Sequence, residues 1–196
     1  MIKYHQDRID FDTLHQNNID RIQLEMVPAK SHVLEIGCAT GYMTEYLARD
    51  KQCRVLGVEP VEAQAEMARQ RGLEVITGLI DTPETQDQLI AHTKKHGLFE
   101  AIFMSQVIEH IADPAATLRA LKGLLNPGGH LIISTCSIVH WKCRLQILFD
   151  TRILAPSDIL RLIPFIGICL RRATDLFKNF LATQFVYKAQ PVHRLK

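Results

Sequence analysis

The sequence predicts an α/β fold: a doubly wound, mostly parallel sheet with helices on both faces. Two observations predict it. Five short, continuously apolar runs alternate with helical stretches between residues 33 and 134, the pattern of parallel strands covered on both sides. The motifs able to carry chemistry all fall just after these runs, and ligands of such sheets bind beyond the carboxyl ends of the strands.

Taken in order, residues 12–27 place Leu14, Ile19, Ile22, Leu24 and Val27 at loosely helical spacing. Pro28 ends this stretch, because a proline disfavours helix in the residue before it. Residues 32–36 read as the first strand. Residues 40–49 read as a helix with Met43, Tyr46 and Leu47 on one side, and residues 54–58 as the second strand. Pro60 suits the first turn of a helix over residues 61–71. A third strand over 73–76, a helix over 85–95 and a fourth strand over 99–104 follow. Asp113 and Pro114 pair as N-cap and first-turn residue of a helix reaching residue 125. Residues 126–129 (NPGG) read as a tight turn before a fifth strand over 130–134, and residues 184–188 can supply a last strand.

A chain of 196 residues with 47% hydrophobic and 22% charged residues reads as one globular domain,. It has no low-complexity tract and no repeat. The opening MIKYHQDRIDFD reads as neither a signal nor a transit peptide. The apolar, uncharged run at residues 162–170 near the C-terminus has nine residues, too short for a bilayer core of ~30 Å. Five cysteines, an odd number scattered among apolar neighbours, read as reduced thiols of a cytoplasmic protein,. Cys136, His140 and Cys143 lack the second close pair that zinc needs, so no metal is expected. His92 and His96, four apart, read as a solvated helix face. The net charge of +2 is uneven: residues 1–137 hold 13 Lys/Arg and 18 Asp/Glu, residues 138–196 hold 10 and 3. The boundary between core and basic, apolar C-terminal segment is therefore placed at 137/138, within one domain.

The first strand runs into residues 35–41 (EIGCATG). Small residues at 37, 39 and 41 allow a sharp turn and close ligand approach. Glu59 ends the second strand 18 residues after Gly41, placed to accept both hydroxyls of a ribose. A dinucleotide fingerprint would need glycines where Ala39 and Tyr42 stand, so a nucleoside without phosphates fits better and a nicotinamide-dependent dehydrogenase is disfavoured.

Residues 35–41, Glu59, residues 105–114 (SQVIEHIADP) and residues 125–134 (LNPGGHLIIS) together resemble class I S-adenosylmethionine-dependent methyltransferases. Within that class the chain is most similar to the branch containing the ubiquinone-biosynthesis O-methyltransferases (methyltransferase types 11, 12 and 23), over about residues 30–135. The resemblance implies a Rossmann-like sheet of seven strands and S-adenosyl-L-methionine as cofactor. It places Glu35 toward the methionine amino group, the turn carrying Gly37, Cys38, Ala39 and Gly41 under the methionine and ribose, Glu59 on the ribose, and Ser105 beside the methionine end. Where the family has an adenine-contacting acid directly after Gly78, this chain has Leu79; Asp81 is the candidate in its place.

Methyl transfer rests on in-line positioning and desolvation, and a phenol or carboxylate acceptor gains from a nearby base. His110, after the fourth strand, is the candidate catalytic residue, with Glu109 beside it; a structural cap is the competing reading. His140 is a second candidate. Residues 141–180 read as a substrate lid for a small or lipid-like acceptor, with a peripheral membrane contact through Arg161, Arg171, Arg172 and Lys178 among apolar neighbours. Nucleic acid is disfavoured because Trp141, Phe149, Phe165 and Phe177 form no stacking pattern. The rival readings are a non-catalytic binder of S-adenosylmethionine and a nucleic-acid methyltransferase.

Overall fold

The computed structural model describes residues 9–136 and 184–189. A 3-10 turn at Phe11–Thr13 leads into α1 (Ile19–Met26), followed by β1 (His32–Ile36), α2 (Tyr42–Arg49), β2 (Arg54–Glu59) and α3 (Glu62–Gln70). Then come β3 (Glu74–Thr77), α4 (Pro83–His96), β4 (Phe99–Ser105), a 3-10 turn at Ile108–His110, α5 (Pro114–Lys122), β5 (Leu125–Cys136) and β6 (Gln184–Ala189).

The strands order as β3-β2-β1-β4-β5-β6, and the pairs among β1 to β5 are all parallel. Strand order reverses between β1 and β4, the switch point of a doubly wound sheet. Six strands are found among the described residues, against the seven that the resemblance implies; His140, the Cys136–Cys143 spacing beyond its first cysteine, and the lid expected over 141–180 lie outside the described residues.

Alternation along the strands splits the core in two. Leu34, Ile36, Leu56, Val58, Ile102 and Met104 pack with Leu89 of α4 and Leu121 of α5. Val33, Val55, Ala101, Phe103 and Ile132 face the other way, onto Leu24 of α1 and Met43 and Leu47 of α2. Helix α3 joins α2, since Arg71 at its C-cap pairs with the buried Glu45 of α2 at 2.9 Å. β1 is buried along its whole length, its polar His32 and Glu35 included.

Helix α1 is fastened at both ends. Asn18 Oδ1 accepts from the backbone N–H of Asp20 and Arg21, and Lys51 Nζ donates to the carbonyl oxygens of Leu24, at 2.6 Å, and Val27. Ahead of it, Phe11 stacks on Tyr46 of α2 at 4.9 Å.

Three expectations need correction. α2 starts at Tyr42, two residues late, because Ala39 (φ 48°) and Gly41 (φ 80°) are left-handed and hold the turn open,. Residues 126–129 are no turn between elements but an irregularity inside β5: the step from Leu125 to His130 sits opposite the step from Phe99 to Ala101. His92 is not solvated, its side chain being 8% exposed. Its Nε2 lies 3.2 Å from His32 Nε2 and its Nδ1 lies 3.4 Å from Glu74, while the ring stacks on Phe99.

Candidate functional site

The carboxyl edge of the sheet gathers most of the residues expected to bind a ligand. Gly37 follows β1 with φ 76°; its N–H and that of Cys38 both donate to Val58 O, at 2.8 and 3.2 Å, tying the turn to β2. Gly41 N–H closes the turn onto Cys38 O at 2.8 Å. The missing side chains also serve packing. A Cβ on Gly37 would meet Val107 at 2.5 Å, and one on Gly41 would meet Leu73 at 2.5 Å and Ala68 at 2.9 Å. Cys38 is buried against Gly57, and burial pushes its thiol pKa up, so it is an inert packing group.

Glu59, 4% exposed, ends β2 and organises the turn. Its Oε2 accepts from Ala39 N–H at 2.9 Å and its Oε1 from Val61 N–H at 3.0 Å. Two amides use two of about four acceptor positions of a carboxylate, leaving room for a diol. Ala39 holds its strained φ because that orientation aims its N–H at Glu59.

Glu35 is 1% exposed on β1. Neither carboxylate oxygen has a hydrogen-bond partner among the described residues. Burial pushes its pKa up to about 8; the Thr44 hydroxyl opposes this, and the Asp20 and Glu59 carboxylates add to it. A buried carboxyl held without donors is an acceptor suited to a cation. An ammonium group answers that requirement, so the residues present fit the amino-acid end of S-adenosyl-L-methionine.

Ser105 ends β4 and lies in a polar ladder. Gln23 Nε2 of α1 donates to Ser105 Oγ at 3.3 Å, Ser105 Oγ lies 3.3 Å from Ser134 Oγ, and Gln106 Nε2 donates to Ser134 Oγ at 3.0 Å. Gln106 is left-handed, φ 56°, and strained residues of this kind cluster at functional sites. Asp81 is exposed in the turn between β3 and α4. Leu79 is 56% exposed and Val61 48%, each two residues past the paired positions Thr77 and Glu59. They present apolar surface at the same edge. His110 is exposed on the 3-10 turn after β4 with Glu109 exposed beside it, and no hydrogen bond joins them among the described residues. A cavity of about 550 Å³ opens at the opposite edge of the sheet, lined by Lys30, Ser31, Glu100 and residues 126–130; it holds none of the residues named above.

Sequence reasoning did not single out Gln23 or Val61, and it named Leu79 only as standing in place of an acid. Gln23 gives no local signal, because its partner lies 82 positions away. Leu79 and Val61 had one: exposed apolar residues directly beyond strand ends.

A doubly wound parallel sheet with a glycine turn after β1 and two buried carboxylates at its carboxyl edge defines a Rossmann-like α/β domain. The chain belongs to the methyltransferase domain family, matching it over residues 11–176. It is 33% identical over 129 residues to the ubiquinone biosynthesis O-methyltransferase of Marinobacter nauticus, 64% of this chain and 51% of that protein. The enzyme of that name from Xanthomonas oryzae pv. oryzae is 28% identical over 163 residues, 83% of this chain and 62% of its own length. The one from Vibrio vulnificus is 26% identical over 196 residues, 90% of this chain and 81% of its own length. The chain thus spans just over half of the first of these relatives and under two thirds of the second. A solved S-adenosylmethionine-dependent methyltransferase from Mesorhizobium loti matches with TM-score 0.51 at 22% identity, over 63% of this chain and 56% of that one, which shows the fold.

Proposed function

We propose that this chain is an S-adenosyl-L-methionine-dependent methyltransferase acting on a small or lipid-like acceptor by O-methylation. The observation that carries the reading is the pair of buried carboxylates, Glu35 without donors and Glu59 fastened to the turn, on adjacent strands beside the switch point of a methyltransferase-family fold. The named O-methyltransferase relatives, at 26 to 33% identity, support oxygen as the acceptor atom.

When bound, S-adenosyl-L-methionine supplies a methyl carbon activated by a sulfonium. Glu35 then holds the ammonium and Glu59 the ribose hydroxyls. The Gly37, Cys38, Ala39 and Gly41 backbone forms the floor, and Ser105 borders the methionine end. Leu79 and Val61 offer apolar surface to the base, while Asp81, exposed in its turn, is left at the rim. Positioning of this kind supplies much of the rate of a transfer between bound partners. His110 stands at the same edge, free to take the acceptor's proton. The membrane contact proposed for residues 141–180 rests on their sequence.

The reading is tested by calorimetry with S-adenosylhomocysteine, then by transfer of radiolabelled methyl into fractionated cell extract. Binding with label in an organic-soluble fraction supports it. Absence of binding overturns it. Binding with no labelled fraction assigns the non-catalytic binder instead.

A further inference from the structure

Four buried side-chain atoms among the described residues lack a hydrogen-bond partner: Gln23 Oε1, both oxygens of Glu35, and Thr44 Oγ1. They come from three elements, α1, β1 and α2, yet share one face of the sheet. Glu35 alternates with Val33 and stands opposite Phe103, and both apolar residues belong to the core under α1 and α2. Ser105, two residues beyond Phe103, points to that same face, and Gln23 reaches it. Asp20, three residues before Gln23 and so on the same side of α1, is near enough to disfavour charge on Glu35. Thr44, on α2, is near enough to Glu35 to oppose that effect.

Gln23 is 0% exposed, and only half of its amide is used. Nε2 donates to Ile19 O at 3.2 Å and to Ser105 Oγ at 3.3 Å, while Oε1 accepts nothing. Leaving a buried acceptor unmade costs about 1–3 kcal/mol. Pinning α1 to β4 would explain Nε2 but not Oε1. Three acceptor oxygens gathered on one face match the three N–H donors of a primary ammonium.

We propose that Gln23 is a specificity-determining residue: its amide oxygen accepts, together with Glu35, from the ammonium group at the amino-acid end of the ligand, so that α1 reads whether that group is present. This rests on the S-adenosyl-L-methionine reading above.

The test is calorimetric binding of three ligands to the full chain: S-adenosylhomocysteine, its deaminated analogue with the carboxylate kept, and its decarboxylated analogue with the ammonium kept. In Gln23→Met, of nearly equal volume, affinity for the two ammonium-bearing ligands falls about tenfold, the loss of one charge-assisted hydrogen bond. Affinity for the deaminated analogue stays the same. Gln23→Glu, which restores an acceptor but not the donor to Ser105, recovers the preference for ammonium. The readout is a ratio of affinities within one protein sample, so partial unfolding does not mimic it. Equal weakening of all three ligands, or no change in any, overturns the proposal and leaves Gln23 as a pin for α1. Failure of the unmodified chain to bind S-adenosylhomocysteine overturns the parent reading and this one together, and is seen before any variant is made.

Discussion

Glu59 has two tasks, and its replacement separates them from ordinary destabilisation. Glu59→Ala removes the acceptor for the N–H groups of Ala39 and Val61 along with the proposed ribose contact. Each lost bond to a charged group is worth about 1.5–3 kcal/mol, so calorimetry should show S-adenosylhomocysteine binding weakened by at least about tenfold. Glu35 makes a different prediction. With its pKa near 8 it is mostly protonated at neutral pH, and an arriving ammonium displaces that proton. Binding heats at pH 7 should therefore vary with the ionisation enthalpy of the buffer, by up to about one proton released per ligand. Glu35→Gln should bind more weakly and show no such dependence. Gly41→Ala tests the packing role of the turn. A methyl there would press into Ala68 and Leu73 at a φ that favours glycine, and overpacking costs about 1–3 kcal/mol. Thermal unfolding should register it even without ligand.

Among the elements, α1 depends on its neighbours more than its eight residues would suggest, since helices this short are marginal alone. Lys51→Ala removes donors to the Leu24 and Val27 carbonyls, about 1–2 kcal/mol. The unfolding midpoint should fall by roughly 2–8 °C, with loss of ligand affinity if α1 carries Gln23. At the other end of the sheet, β1, β2, β3 and α4 meet in a chain of polar groups. Arg54 Nη2 donates to His32 Nδ1 at 3.0 Å, His32 Nε2 faces His92 Nε2, and His92 Nδ1 faces Glu74. Burial, then the Arg54 charge, push the His32 pKa down to about 4, with His92 and His96 adding to it; His92 is lowered too, by burial first, against the pull of Glu74. The native state thus refuses a proton that the unfolded chain accepts below about 6.5. Stability present at neutral pH is lost as pH falls from there toward 4. His32→Asn should flatten that acid limb in midpoints measured across pH 4–7.

Over the whole molecule, the order of strands and helices was legible because short, mainly apolar strands alternate with longer helical stretches. β1 was read to the residue. Boundaries failed where backbone conformation overrode pattern: Ala39 and Gly41 delay α2, and residues 126–129 bulge within β5. The site was half legible. Glu35, Glu59 and Ser105 announce themselves by standing at or near the carboxyl ends of strands. Gln23, by contrast, and the His32–His92 contact join residues 82 and 60 positions apart, and no local pattern encodes such meetings. The acidic first part and basic last part of the chain carry a prediction of their own. Flotation with anionic vesicles at low salt should bring the full chain up with the lipid, and the effect should fade as salt rises.

His32 and Glu35 stand three positions apart on β1, one at each edge of the sheet. Their proton demands run in opposite directions. Glu35 favours the fold while it keeps its proton, a contribution complete below about 4.5 and gone once pH climbs past about 8,. One five-residue strand therefore bounds the ligand-free protein on both the acid and the alkaline side. A bound cation relieves only the upper boundary, so saturating ligand should broaden the tolerated range toward alkali and leave its acid margin where it was.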